Sequence, residues 1–483
     1  MGTRAILVVM GVTVIVAVLF HVFLKHKSRG RRRRYEASSL PPGSMGLPLL
    51  GETLQFFTQS PSLDLLPFFK KRLESYGPIF KTNLVGKDLI VSLDPELNNY
   101  VFQQEEKAFQ IWYPESFMRI LGDDNIISSA GSLHKHIRNL ILRVFGPENL
   151  RRVLLRDVQS VVTSGLLSWL DCPSIELKAA ASSMIFGVTA KWLIGYEASA
   201  STVELWKHYD AFTRGLVAFP LSIPGTALYK CLQGRKNVMK DLKQLFDARK
   251  DAEPRESKDF LDLIMDELNK EKPLLSEKTA LNLIFALLFA SFETTASGLT
   301  AALKFLTDNP KALQELAEEH EQIRKRRADP DSEITWEEYK SMAFTSHVIH
   351  ESLRLANIAP VLFRKATQDV HIKGYTIPDG WTVMICPSAV HLNPTTYEDP
   401  STFNPWRWKD ISEPAGGSKD FVAFGCGLRF CAGADFAKLQ MATFLHCLVT
   451  KYRWKVIRGG KMVFSPGLGF PEGFHIQLEP KQP

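Results

Sequence analysis

The chain has 483 residues, 45% hydrophobic and 23% charged, a globular composition that excludes a disordered, collagenous or disulfide-stapled protein. Its net charge of +7 sits at one end: in residues 1–40, Arg4, Lys25, Lys27, Arg29 and Arg31 to Arg34 stand against Glu36 alone, and from residue 41 onward acids and bases balance. The body therefore has no cationic excess to hold a polyphosphate, which argues against nucleic-acid binding.

In chain order, Ala5 to Leu24 is apolar except at Gly11, Thr13 and His21, and is long enough to cross a hydrocarbon core of about 30 Å as a helix. Residues 1–24 are expected to be a transmembrane anchor. A cleaved signal peptide fits less well, because a basic cluster follows where small residues would mark a cleavage site. The positive-inside rule places Lys25 to Arg34, and everything after them, on the cytosolic side. Six irregularly spaced cysteines suit that reducing compartment better than a disulfide framework. Residues 25–48 are basic and then proline-rich, and Leu40 to Pro48 forbids helix, so this segment reads as a stiff linker.

Ile79 to Leu84 and Asp88 to Leu93 flank Val85-Gly86-Lys87 and predict a β-hairpin, and Trp381 to Cys386 predicts another strand. Most of the rest has helical periodicity, with Gly and Pro stops at 146–147, 220–225, 309–310 and 394–405. The polar segments 249–258 and 324–333 read as surface connections, so residues 49–483 are expected to form one domain, mainly α with small β-sheets. Ser276 to Leu306 predicts a long helix, N-capped by Ser276 and stopped at Asn309-Pro310. Its apolar stretch, Leu281 to Phe292, is too short to span a bilayer. Glu293, Thr294 and Thr295 follow on that helix. A carboxyl and hydroxyls in an apolar helix need a reason, although a threonine hydroxyl can also bond back to a helix carbonyl.

Near the C-terminus, Phe424-Gly425-Cys426-Gly427-Leu428-Arg429-Phe430-Cys431-Ala432-Gly433 puts a cysteine in a glycine-rich loop that runs into a helix-compatible segment, Ala434 to Tyr452. Backbone N–H groups and a helix N-terminus stabilise a thiolate there. A thiolate on haem iron supplies the electron density that favours O–O cleavage. Arg429 is placed to pair with a haem propionate and Phe424 to pack on the porphyrin. A zinc site through Cys426 and Cys431 lacks a second Cys/His pair, and the remaining alternative is a structural cysteine in a glycine turn.

This loop resembles that of the cytochromes P450, haem-thiolate monooxygenases, and the resemblance runs from the proline connector to about Leu478. Three other places match. Glu351-Ser352-Leu353-Arg354 is similar to the family's E-x-x-R, whose charges share a helix face. The resemblance joins them to Arg407 in Phe403-Asn404-Pro405-Trp406-Arg407-Trp408. Ala290-Ser291-Phe292-Glu293-Thr294-Thr295 resembles the oxygen-activation motif and implies that Glu293 relays protons and that the Thr294 hydroxyl assists at the oxygen. Ser291 stands where the family usually has glycine. His134-Lys135-His136-Ile137-Arg138 resembles the family's Trp-x-x-x-Arg, which implies that Arg138 and His134 bind propionates. Cys431 is then the iron ligand of a haem b.

Ile111-Trp112-Tyr113, Phe117-Met118, Phe212 to Pro220, Ala286 to Phe289, Ile358 to Phe363 and Leu468-Gly469-Phe470 correspond to the family's substrate-recognition regions and are apolar or aromatic. Trp112, Phe117, Ala286, Ala290, Val361, Leu362 and Leu468 are the expected pocket residues. An apolar pocket beside a membrane anchor favours a lipophilic substrate. Leu221-Ser222-Ile223-Pro224-Gly225-Thr226, Phe289 to Thr295, Thr335 to Met342 and Ala389 to Pro394 resemble the plant branch that oxidises isoprenoids, most of all its family eighty-seven, which acts on triterpenoids and sterols. The resemblance implies a single-pass protein of the endoplasmic reticulum membrane, with its catalytic domain in the cytosol. It would use O2 and electrons from NADPH through NADPH-cytochrome P450 reductase. Another plant isoprenoid, such as a brassinosteroid, a diterpenoid or a hormone acid, is the alternative substrate. A haem-thiolate isomerase or dehydratase would not need Glu293 and Thr294, and a non-catalytic haem-binding protein would not need a wide apolar pocket.

Overall fold

The computed structural model describes residues 39–481, except 49, 123–126, 128, 198–200, 202, 214–222, 253–257 and 411–416. The expected anchor, most of the linker and part of Phe212 to Pro220 lie outside the described residues.

A central helix, Glu277–Asp308, organises the rest. Ser276 caps it as the sequence predicts, its Oγ accepting from the Thr279 N–H at 3.1 Å, and the helix ends before Pro310. Its 32 residues extend about 48 Å at roughly 1.5 Å per residue. Among the described residues this is the one helix long and apolar enough to cross a membrane, yet 61% of its apolar window is buried inside the protein, as in a core helix. It packs along Leu177–Ile194 and crosses Ala343–Ala356 and Ala434–Lys451. Phe285 and Phe292 anchor one end through an aromatic cluster with Phe186, Tyr209 and Phe212. Edge-to-face pairs dominate it, the arrangement that ring quadrupoles favour.

The larger sheet runs Ile79–Leu84, Lys87–Ser92, Thr382–Ile385, Leu362–Ala366, Phe109–Ile111 from edge to edge. The predicted hairpin forms, with a tighter turn than the sequence suggested. Val85 and Gly86 both take positive φ, 51° and 76°, and Lys87 pairs with Leu84. Positive φ at both central residues is the two-residue turn whose twist suits a hairpin. Thr382–Ile385 adds parallel to Lys87–Ser92 and antiparallel to Leu362–Ala366. A second sheet joins Ile175–Glu176, Phe474–Pro480 and Tyr452–Gly459. The helix expected over Ala434 to Tyr452 ends at Lys451, and Tyr452 opens a strand.

Candidate active site

A cavity of about 430 Å³ lies between the central helix and the cysteine loop. The loop is built by two glycines in the left-handed region, Gly425 (φ 75°) and Gly427 (φ 67°), and it closes where the Cys431 N–H donates to the Phe424 carbonyl at 2.9 Å. A Cβ on Gly427 would come within 3.1 Å of the Phe102 carbonyl oxygen, so backbone there approaches backbone. Cys431 faces the cavity, and its accessible surface is cavity wall. Burial pushes its thiol pKa up, a hydrogen bond from the Gly433 N–H and the charge of Arg138 pull it down, and Asp435 adds to the rise. The helix Ala434–Lys451 starts three residues later without a side-chain cap, so the partial positive charge of its N-terminus lies beside the cysteine.

One end of the cavity is cationic. Arg138, on the helix Gly131–Phe145, donates from Nη1 to the Phe430 carbonyl at 2.5 Å and so ties that helix to the cysteine loop. Arg429 donates from Nε to Glu105 Oε1 at 2.9 Å and from Nη2 to the Ser129 carbonyl at 2.7 Å. Arg364, on the strand Leu362–Ala366, donates from Nε to the other oxygen of Glu105 at 2.7 Å. His134 lines the same end, its pKa lowered to about 4 by burial and then by Arg429 and Arg138, so its imidazole is neutral near pH 7. Three guanidiniums exceed the one buried carboxylate, Glu105, by two, and the partly exposed Glu106, 4.0 Å from Arg429, offsets part of that excess. Haem b carries two carboxylates, and a haem-thiolate site sets a cysteine on one side of the group and an apolar wall on the other. The donor set and the shape of the charge fit that group. Sequence reading missed Arg364 and Glu105. The strand Leu362–Ala366 carries two adjacent cations, Arg364 and Lys365, and the one the fold buries, Arg364, must find an anion.

The facing wall is the central helix, which presents Leu287, Ala290, Ser291, Thr294 and Thr295. That is one helical face, and the backbone stays α-helical through Ser291. Ser291 Oγ donates to the Leu288 carbonyl and Thr294 Oγ1 to the Ala290 carbonyl, both at 2.7 Å. Each hydroxyl has thus spent its hydrogen on the helix and keeps lone pairs for the cavity. Glu293 is placed apart from Thr294. It is not part of the cavity wall, and its Oε1 accepts from Lys178 Nζ at 2.5 Å on the neighbouring helix Leu177–Ile194. The sequence had put both residues at one centre; neighbours on a helix point about 100° apart.

Glu351 and Arg354 form the bidentate pair the sequence suggested, with Nε and Nη2 each 2.8 Å from a carboxylate oxygen. Arg407 Nε reaches Glu351 at 3.1 Å, and Trp408 Nε1 donates to its other oxygen at 2.9 Å. Of the expected pocket residues, Ala290 and Leu362 line the cavity, and so does Phe424 from the cysteine loop. Trp112 packs edge-on against Phe363, and Phe117 stacks on Tyr113. Ala286 is buried in the core, Val361 packs among the sheet residues, and Leu468 pairs with Phe464. Ile111 and Tyr113, on either side of Trp112, are the residues that reach the cavity.

Comparisons with known proteins agree with this geometry. A family model for cytochrome P450 matches residues 41–474. Cytochrome P450 87A3 of Oryza sativa subsp. japonica is 57% identical, over 92% of this chain and 86% of that protein. Cucurbitadienol 11-hydroxylase of Siraitia grosvenorii is 42% identical, over 96% and 98%. Among solved structures, cyanobacterial CYP120A1 with retinoic acid bound superimposes with a TM-score of 0.80 at 28% identity, covering 92% of this chain and all of that one. A cysteine loop facing an apolar helix across a cavity with excess positive charge at one end, in a chain that these relatives match along nearly its whole length, means that the chain belongs to the cytochrome P450 family and is a monooxygenase.

Proposed function

We propose that the protein hydroxylates a polycyclic isoprenoid, a triterpenoid or sterol. The carrying observation is the distribution of charge around the cavity. Its ionised lining residues are Arg138, Arg364 and Arg429, all at the propionate end, while the central-helix wall offers only apolar side chains and hydroxyls. A neutral, rigid, largely apolar body fits such a wall, and burying it yields about 25 cal/mol per Å². The relative named for cucurbitadienol supports the scaffold class.

In this reading Cys431 would ligate the iron of haem b, Arg138, Arg364, Arg429 and neutral His134 would hold its carboxylates, and Phe424 would pack against it. Bound there, the haem supplies activation of O2. A ligating thiol is deprotonated outright, which overrides the upward push of burial on Cys431. Thr294 holds or passes a proton at Oγ1, the hydroxyl on the cavity wall. Glu293 resupplies protons only when Lys178 releases it. Residues 1–24 form the single anchor in the endoplasmic reticulum membrane and 25–48 the linker. The domain 49–483 is cytosolic and receives electrons from NADPH through NADPH-cytochrome P450 reductase.

The test is incubation of membranes carrying the protein and reductase with a sterol and triterpenoid panel, read by mass spectrometry. Products heavier by one oxygen, dependent on NADPH and O2, are expected. Turnover of a hydroperoxide without NADPH would replace this reading with a haem-thiolate isomerase, and no turnover of any polycycle would remove the substrate class.

A further inference from the structure

We infer that Glu105 is the positioning residue for the anionic edge of the prosthetic group, aiming two arginines at it and trimming their charge. Glu105 lies just beyond the helix Pro95–Gln103 and is 2% accessible. Each of its oxygens takes a different arginine, Oε1 from Arg429 on the cysteine loop and Oε2 from Arg364 on the sheet. These partners come from two separate elements, 324 and 259 residues away in the chain.

The geometry fixes direction as well as distance. Glu105 occupies the Nε edge of both guanidiniums. A backbone carbonyl takes one terminal nitrogen of each, Phe363 for Arg364 Nη1 and Ser129 for Arg429 Nη2. With two edges held, a planar fork has no rotation left. Among the described residues, Arg364 Nη2 and Arg429 Nη1 have no partner, and both side chains line the cavity. Without Glu105, two buried cations would share this end with Arg138 and repel one another.

A buried negative charge near the iron opposes an added electron, because the low local dielectric screens it weakly. Glu105 is therefore a determinant of reduction potential, independent of which substrate is oxidised. Glutamine cannot replace it: it offers one acceptor oxygen, and its NH2 would face a guanidinium.

The experiment is potentiometric titration of the haem-loaded full chain together with the reduced carbon monoxide spectrum. Glu105→Gln is expected to move the midpoint to more positive potential with the thiolate-type spectrum retained, Glu105→Asp to stay near the parent, and Arg364→Gln to move it the other way. The pair Glu105→Gln with Arg364→Gln should return close to the parental value. A fully haem-loaded Glu105→Gln at parental or more negative potential overturns the inference. If the single glutamine variant does not retain haem, the charge-compensated pair must retain it at near-parental potential, and a pair that fails as the single does also overturns it.

Discussion

The Lys178 ammonium lies 2.5 Å from Oε1 of Glu293, so the acid beside Thr294 faces a neighbouring helix instead of the cavity. Thr294 lies on the wall at the reacting centre and Glu293 does not, so the two are expected to act on different steps. Thr294→Ala is expected to divert NADPH-derived electrons into hydrogen peroxide while haem and substrate still bind. Glu293→Gln is expected to slow turnover but keep product per NADPH near the parent. Peroxide and product measured per NADPH distinguish them, and a Glu293→Gln variant as uncoupled as Thr294→Ala would place the acid at the reacting centre after all.

Glu351 and Arg354 have no accessible side-chain surface, and Arg407 retains 10%. Removing one member of a buried pair leaves its partner charged and unpaired, at about 3–5 kcal/mol. Glu351→Gln strands both arginines and should cost that much, read as a lower urea midpoint and loss of haem on heating. Arg407→Gln keeps the bidentate core and should cost about 1–3 kcal/mol, the range for a lost charged hydrogen bond. Equal losses would mean that the outer arginine carries the network.

Buried imidazoles outside the cavity's cationic end contribute to acid sensitivity: His391, His446 and its neighbour His320, whose pKa burial and the charge of His446 also lower. The pKa of His391 is lowered to about 3 by burial and by Arg354, and that of His446 to about 3 by burial and by Arg327, Arg324 and Lys451. An unfolded histidine titrates near about 6.5, so from there down toward 3 the unfolded chain binds more protons than the folded one. Stability is thus fully present above about pH 6.5 and falls as pH drops, by up to about 1.4 kcal/mol per pH unit for each histidine. His446 Nδ1 is 2.9 Å from His320 Nδ1, and glutamine can preserve a hydrogen bond there. His446→Gln should lose less of its urea midpoint than the parent between about pH 7.5 and about pH 5. An equal loss in both proteins would show that His446 does not titrate in unfolding.

The cysteine loop, the E-x-x-R pair and the long helix were legible because each is a local pattern: glycines at fixed offsets, charges three apart, an apolar run between an N-cap and a proline. Arg407, 56 residues from Glu351, was joined to the pair by the family resemblance alone. Pocket segments were legible too, but their individual residues were not, because a period must also be assigned its phase. In the strand Leu362–Ala366, Leu362 and Arg364 face the cavity while Phe363 faces the other side. Choosing Val361 with Leu362 mixed the two faces, as choosing Trp112 over Ile111 and Tyr113 reversed them. Long-range ionic pairs gave no local sign at all. Glu105 with Arg364 and Arg429, and Lys178 with Glu293, depend on which elements the fold brings together.

The same phase argument separates two alanines one turn apart. Ala290 opens on the cavity beside Thr294, in a helical series with Leu287, Ser291 and Thr295, whereas Ala286 is 5% accessible and outside the wall. Ala290→Leu fills space that a polycycle would occupy. Overpacking there should cost about 1–3 kcal/mol of binding, roughly a ten- to hundredfold rise in Kd, with haem retained. Ala286→Phe pushes into closed core and should instead lower the unfolding midpoint. Soret shifts on titration with sterols and triterpenoids read the first effect, and urea unfolding reads the second. Because the helix wall carries no ionised group, the Kd should not change with ionic strength. A Kd that weakens steeply with salt, or binding confined to carboxylic acids, would mean that one of the arginines reaches substrate, and the neutral polycycle would give way to an acidic isoprenoid.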